Sequence, residues 1–338
     1  MSGEETESVA VVGAGSWGTA FSAMLAGRHG AVTLWAFEPE VCDSIRERRE
    51  NRAFLPGVPL PGGIRPTNDL AAAVSGKTIV AFAVPSHHLR RVAEQAAPHL
   101  SPGACLVSLA KGVENGTLLR MTEILAGASP SHAPRVAALS GPTFAREVAQ
   151  GMPTGATVAA KDASVAARLQ RALSGPRFRL YADEDVTGIE IGGALKNVMA
   201  IAAGMADGLG FGHNARALLI SRGLAEISRL GVRLGADPRT FSGLSGMGDL
   251  VLTCTGDLSR NRSVGIRLGR GETIGEVLSG MTMVAEGVKT AVSAVELSRS
   301  TGVPMPISEQ VHAILHEGKD PREAVSELFA RALRREKE

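Results

Sequence analysis

An apolar run, a glycine cluster and a helical stretch follow one another at the start of this chain, and that order leaves few folds open. Residues 8–12 read SVAVV, residues 13–18 read GAGSWG, and residues 19–27 (TAFSAMLAG) carry the Ala, Leu and Met of a helix. AVTLW at 31–35 completes strand, turn, helix and strand within the first 36 residues. In such a unit Gly13 permits the tight turn, Gly15 lets the backbone approach a pyrophosphate, and Gly18 lets helix and strand pack closely. Ser16 and Trp17 then open the helix, where unpaired N–H groups and the dipole favour an anion. A glycine turn alone is often structural; here the ordered context points to a dinucleotide.

Further apolar runs at 78–84 (TIVAFAV), 104–110 (ACLVSLA) and near 134–139 predict three more strands. They lack clean alternation, as parallel strands covered on both faces do. Helical stretches lie between them, so the first half is α/β with a Rossmann-like doubly wound sheet. Near 178–190 the pattern changes. Helices are expected at 188–206 and 214–234, parted by the turn-forming GLGFG at 208–212. Val288, Val292 and Val295 share one helix face, and Ile307, Val311, Ile314 and Leu315 share another. The expected organisation is a dinucleotide-binding domain over 1–187 and an all-α substrate domain over 188–338, with a cleft between them.

Composition narrows the function. The 338 residues are 44% apolar and 21% charged, which excludes a largely disordered chain. Lys and Arg number 36 against 34 Asp and Glu, so no strong field advertises a nucleic-acid or membrane partner. Cys42, Cys105 and Cys254 are scattered, forming neither a disulfide framework nor a metal knuckle. The start, MSGEETE, is unlike a signal peptide, and no window approaches the ~18 apolar residues of a membrane span. A cytoplasmic protein with no metal, no nucleic-acid partner and no membrane span is expected.

Three segments carry chemistry. After the second strand come Phe37 and Glu38, and an acidic side chain there accepts hydrogen bonds from a ribose 2′-OH and repels a 2′-phosphate. No Arg or Lys lies between residues 29 and 45, so Glu38 favours NAD over NADP, unless it is a solvated glutamate starting the next helix. In GGALKN (192–197), Lys196 sits in a helix beside Gly192 and Gly193, which suggests room for a small ligand. Such a lysine is either solvated surface or a proton donor and acceptor whose pKa burial lowers. In GDLVLTCTGDLSRNRS (248–263), Asp249 and Thr253 share a helical face, while Ser259, Arg260 and Asn261 read as a loop. That loop is either ordinary polar surface or a grip for a phosphate monoester. Cys254 reads as a small buried residue. Lys111, SGPTF at 140–144, His87 and His88 lie at strand ends, where doubly wound sheets bind ligands.

These segments resemble the NAD(P)-dependent glycerol-3-phosphate dehydrogenase family, especially its bacterial branch. GAGSWGTA, LAKG (109–112), SGPTFAREVA, the GGALKN helix, SGMGDLVLTCTGDLSRNR and VAEG (284–287) carry the likeness over nearly the whole chain. The resemblance implies Lys196 as the catalytic proton donor and acceptor. It implies substrate contacts at Lys111, Gly141, Thr143, Lys196, Asp249, Ser259, Arg260 and Asn261. Cofactor contacts implied are Ser16, Trp17, Phe37, Lys111, Ala145, Arg260, Val284 and Glu286. Many bacterial members carry a basic or histidine side chain where this chain has Phe37, whereas Phe followed by Glu is similar to the NAD-linked eukaryotic members. The implied reaction interconverts dihydroxyacetone phosphate and sn-glycerol 3-phosphate with NAD or NADP, the product feeding glycerophospholipid synthesis. A homodimer stays open. The rivals are another two-domain hydroxy-acid dehydrogenase and a non-catalytic dinucleotide sensor.

Overall fold

The computed structural model describes residues 7–281, 283, 285–333 and 335–336. The first half alternates strictly. β1 (Val9–Val12), α1 (Ser16–His29), β2 (Val32–Trp35), α2 (Pro39–Arg48) and β3 (Ile64–Thr67) come first. Then follow α3 (Leu70–Val74), β4 (Ile79–Phe82), α4 (Ser86–Ala96), β5 (Cys105–Ser108), α5 (Met121–Ala128) and β6 (Val136–Ser140). α6 (Ala145–Ala149), β7 (Thr154–Ala160), α7 (Ala163–Leu173) and β8 (Phe178–Asp183) complete it. The sheet order is β3-β2-β1-β4-β5-β6-β7-β8, parallel except where β7 runs antiparallel to β6. Every residue of β1, β4 and β5 is buried, which is why their sequences run apolar without alternation. The strand order reverses between β1 and β4, the place where doubly wound sheets bind ligands.

The two motif glycines at that crevice are sterically required. Gly13 has φ +113°, and a Cβ there would stand 2.9 Å from the Ala83 backbone. On Gly18 a Cβ would fall 1.9 Å from the Gly13 carbonyl oxygen. No larger residue fits either place.

The second half is helical. α8 (Val186–Gly208) is its axis, buried along nearly its whole length. It is long and apolar enough to cross a membrane, and the protein itself buries it. Around it lie α9 (His213–Arg233), α10 (Asp249–Thr255), α11 (Arg260–Gly269), α12 (Ile274–Ser279), α13 (Glu286–Thr301), α14 (Pro306–His316) and α15 (Pro321–Phe329). α8 and α11 cross almost backbone to backbone, through Gly204 and Gly208 on one and Gly265 and Gly269 on the other. A Cβ on Gly204 would stand 2.0 Å from the Arg262 carbonyl oxygen, and one on Gly265 2.0 Å from that of Ile201.

Four expectations from the sequence are corrected. The sheet has eight strands among the described residues, so β3, β7 and β8 were not anticipated. β3 contains Pro66, and β8 at the far edge is largely exposed, so neither shows a long apolar run. Ser259, Arg260 and Asn261 do not form a loop: Ser259 Oγ caps α11 by accepting from Arg262 N at 3.2 Å, and Arg260 is its first residue. The space beside Gly192 and Gly193 is filled by protein. A Cβ on Gly192 would meet the Ser245 carbonyl at 2.6 Å, and one on Gly193 would meet Ser140 Oγ at 2.5 Å. On α13, Val288 and Val292 are only half-buried, and Ala291, Ala294 and Leu297 turn inward with Val295. The α14 face of Ile307, Val311, Ile314 and Leu315 is buried as expected.

Candidate active site

Lys196 lies mid-way along α8, and burial would strip its ammonium of water without compensating partners. Two come from α10, which opens after a π-helical turn at Leu244–Gly248. Asp249 and Thr253 stand one turn apart on that helix, so both face the lysine. Lys196 Nζ donates to Asp249 Oδ1, and to Thr253 Oγ1 at 2.9 Å. Asp249 is fully buried and serves a second cation, accepting from Lys111 Nζ on Oδ2 at 2.6 Å. Lys111, just past β5, also donates to the Gly141 carbonyl at 2.9 Å. One carboxylate therefore joins two lysines from the two halves of the chain. Burial is the main cause that lowers Lys196 to a pKa of about 8; Asp249 opposes that shift and Lys111 adds to it. Lys196 is thus a proton donor near neutrality with an accessible free amine.

Glu286, the first residue of α13, feels Arg260, Lys111 and Lys196 electrostatically, which places it in the same cluster. Burial raises its pKa while these cations and the Ser86 backbone N–H, 3.3 Å from Oε1, pull the other way. Three cations, Lys111, Lys196 and Arg260, face two carboxylates, Asp249 and Glu286, so the cleft retains net positive charge suited to a phosphate. Asn261 anchors rather than projects. Its Nδ2 donates to Asn197 Oδ1 and its Oδ1 accepts from Gly287 N, each at 2.9 Å, tying α11 to α8 and α13. Thr143 Oγ1 donates to the Gly141 carbonyl at 3.1 Å.

At the other end of the cleft the residues fit a dinucleotide. α1 starts at Ser16 with no side-chain cap and no acid in its first turn, leaving its N–H groups available. A Cβ on Gly15 would point into open space, so a ligand can approach the backbone there. Trp17 Nε1 is buried with no hydrogen-bond partner among the described residues. Ser16 Oγ donates to Met283 Sδ at 3.2 Å, which places Met283 over this helix end. Ala145 opens α6, and Val284 lies outside the described residues. Phe37 is exposed past β2, and Glu38 is the residue preceding α2. The absence of a cation near Glu38 holds only along the chain: Arg91 of α4 reaches over the Phe37 ring, 5.9 Å from its centroid. His87 and His88 lie with their ring centroids 4.0 Å apart, tilted by 48°, at the exposed start of α4. Cys254 is buried, with its thiol raised to about 12 by burial, and is inert as a nucleophile at neutral pH.

A doubly wound sheet with a glycine-turned helix at its switch point, facing a helical half that carries a buried lysine, defines a two-part nicotinamide-dinucleotide oxidoreductase. Comparison with known proteins narrows the class. The chain belongs to the NAD-dependent glycerol-3-phosphate dehydrogenase family, whose N-terminal model matches residues 8–166 and whose C-terminal model matches 185–326. It is 55% identical over 331 residues to a glycerol-3-phosphate dehydrogenase (NAD(P)+) of Geobacter sp. strain M21, covering 98% of this chain and 99% of that one. A Myxococcus xanthus protein of the same name is 53% identical, covering 95% and 96%. Among solved structures, glycerol-3-phosphate dehydrogenase from Coxiella burnetii superposes with a TM-score of 0.91 at 37% identity, covering 96% of this chain and 99% of that one. A ketopantoate reductase from Ralstonia eutropha, at 17% identity and a TM-score of 0.57 over 94% of this chain and 99% of that one, shares the fold alone.

Proposed function

We propose that this protein catalyses the reversible reduction of dihydroxyacetone phosphate to sn-glycerol 3-phosphate with NADH or NADPH. Residues 1–187 hold the dinucleotide and residues 188–338 supply most of the substrate site. The observation that carries this reading is the pairing of Lys196 and Lys111 across the two oxygens of buried Asp249, with Arg260 in the same cluster.

The bound nicotinamide supplies the hydride; the chain supplies binding, aim and a proton. Lys196, aimed by Asp249 and Thr253, donates its proton to the substrate oxygen as that oxygen gains negative charge. In the oxidising direction its neutral amine takes the proton back, which a pKa of about 8 permits. Arg260 and the first N–H groups of α11 hold the phosphate, with Ser259 fixing that helix end. Since the Asn261 amide is taken up by Asn197 and Gly287, its contribution to the phosphate is its backbone N–H. Lys111, Gly141 and Thr143 hold the substrate from the sheet side. Gly13, Gly15, Ser16, Trp17, Gly18, Phe37, Glu38, Ala145 and Glu286 line the dinucleotide. The small-molecule product suits a cytoplasmic enzyme feeding glycerophospholipid synthesis.

The test is a spectrophotometric assay of nicotinamide oxidation by the purified protein. Dihydroxyacetone phosphate should be reduced far faster than dihydroxyacetone or a 2-oxo acid. Lys196→Met should lower turnover by at least a hundredfold, the usual scale of lost acid catalysis, with NADH affinity nearly unchanged. Faster reduction of the 2-oxo acid, or near-normal turnover in Lys196→Met, would overturn the reading.

A further inference from the structure

We propose that Arg91 is the residue that reads the 2′ position of the adenosine ribose, as counter-ion to the 2′-phosphate of NADPH. The inference rests on the reading that Gly13–Gly18 and Phe37–Glu38 hold the dinucleotide.

β1 is flanked in the sheet by β2 and β4, and α4 begins directly past the carboxyl end of β4. Phe37 and Glu38 lie past the carboxyl end of β2. These two strand ends rim the adenosine side of a dinucleotide crevice. Arg91 spans that rim, its guanidinium 5.9 Å from the Phe37 ring centroid, while the same ring meets Trp35 edge-on at 6.2 Å. The stacked ring holds an otherwise flexible side chain in place. Phe37 therefore positions a cation at the rim where the adenosine ribose would lie.

The charge on Arg91 is uncommitted. Its chain neighbour Arg90 is locked in a bidentate pair with Glu114, at 2.9 and 2.6 Å. Arg91 has no carboxylate partner among the described residues, and it is exposed. The Glu38 carboxylate likewise has no hydrogen-bond or ionic partner among them; only its backbone carbonyl is bound into the start of α2, accepting from Val41 N and Cys42 N, while its side chain makes no cap. An unpaired anion and an unpaired cation thus sit at the same rim. The carboxylate suits a free 2′-hydroxyl, and the guanidinium suits a phosphate monoester through its planar fork of donors. Arg91 offsets the repulsion that Glu38 alone would impose on NADPH, and the site takes both nucleotides.

The experiment is direct titration without substrate, following protein fluorescence, of wild type, Arg91→Ala and Arg91→Lys with NADH, NADPH, 5′-AMP and 2′,5′-ADP. Arg91→Ala should weaken NADPH and 2′,5′-ADP about ten-fold, the scale of one charge-assisted contact in a partly solvated site. NADH and 5′-AMP should shift less than about three-fold, because a free hydroxyl gains little from the cation. Arg91→Lys should recover part of the NADPH loss, and added salt should shrink the difference between wild type and Arg91→Ala. Unchanged NADPH affinity in Arg91→Ala overturns the proposal. So does equal loss for NADH and NADPH, since Arg91 would then only pack against Phe37 or the adenine. If wild type binds neither dinucleotide, the reading of the whole site fails, an outcome distinct from both.

Discussion

Lys196 is held between two opposing pressures, and their balance fixes its use. Burial pushes its pKa down, Asp249 pulls it up, and the result is about 8. On the proposed mechanism the ammonium is the active form in the reducing direction, so kcat/KM should fall as pH rises through about 8. In the oxidising direction the free amine is needed, and the rate should rise over the same interval. Asp249→Asn removes the interaction that raises the lysine, so the limb should move to lower pH while turnover also drops. Initial rates in both directions across pH 6–10 check this, and a limb that stays in place in Asp249→Asn would assign it to another group. Lys196 was legible in the sequence as the lysine of GGALKN, but the reason offered there was not the operative one. Gly192 and Gly193 let α8 press against Ser245 and Ser140; they leave no space for a ligand.

At the scale of elements, the position of the residues proposed to bind the phosphate depends on how closely α11 lies on α8. Four glycines remove the side chains between the two backbones, and Arg260 and Asn261 are carried at the α11 end toward Asn197, next to Lys196. Gly265→Ala should therefore destabilise the protein by about 1–3 kcal/mol or more, since a backbone carbonyl cannot step aside as a side chain can. Gly27→Ala, in the exposed part of α1 with nothing within 4 Å of the new methyl, should be neutral or gain up to about 1 kcal/mol. Urea unfolding of both variants decides it; equal stability would mean that the crossing tolerates a wider spacing. On each helix the two glycines stand four residues apart, a spacing that does not say which helix will meet them. The start of α11 was misread as a loop because Ser259, Arg260 and Asn261 are polar and follow a turn. Such a run is also what a capped helix start exposes to a ligand.

Across the whole molecule, the two halves are joined by buried polar contacts as well as apolar packing. Glu190 of α8 accepts from Thr122 N at 2.8 Å, Thr122 Oγ1 at 2.6 Å and Arg120 at 3.1 Å, all at the start of α5 in the sheet half. Removing this carboxylate leaves buried donors with no acceptor, so Glu190→Ala should cost about 3 kcal/mol in urea unfolding, with Glu190→Gln milder. A change under about 0.5 kcal/mol would show that the halves do not depend on this tie. The sequence by itself determined the α/β first half, the glycine turn and the switch to helices, because strand burial, turn sterics and helix periodicity are local and leave a mark within a few residues. The edge strands β3 and β8 left a weaker mark because they are short or half-exposed. Only the tertiary structure decided that Asp249 would bridge Lys196 and Lys111, and that Arg91 would stand over Phe37. Those pairings join residues far apart in the chain. Their energy comes from burial and charge at a crossing of elements, and no local pattern of residues records which crossing will occur.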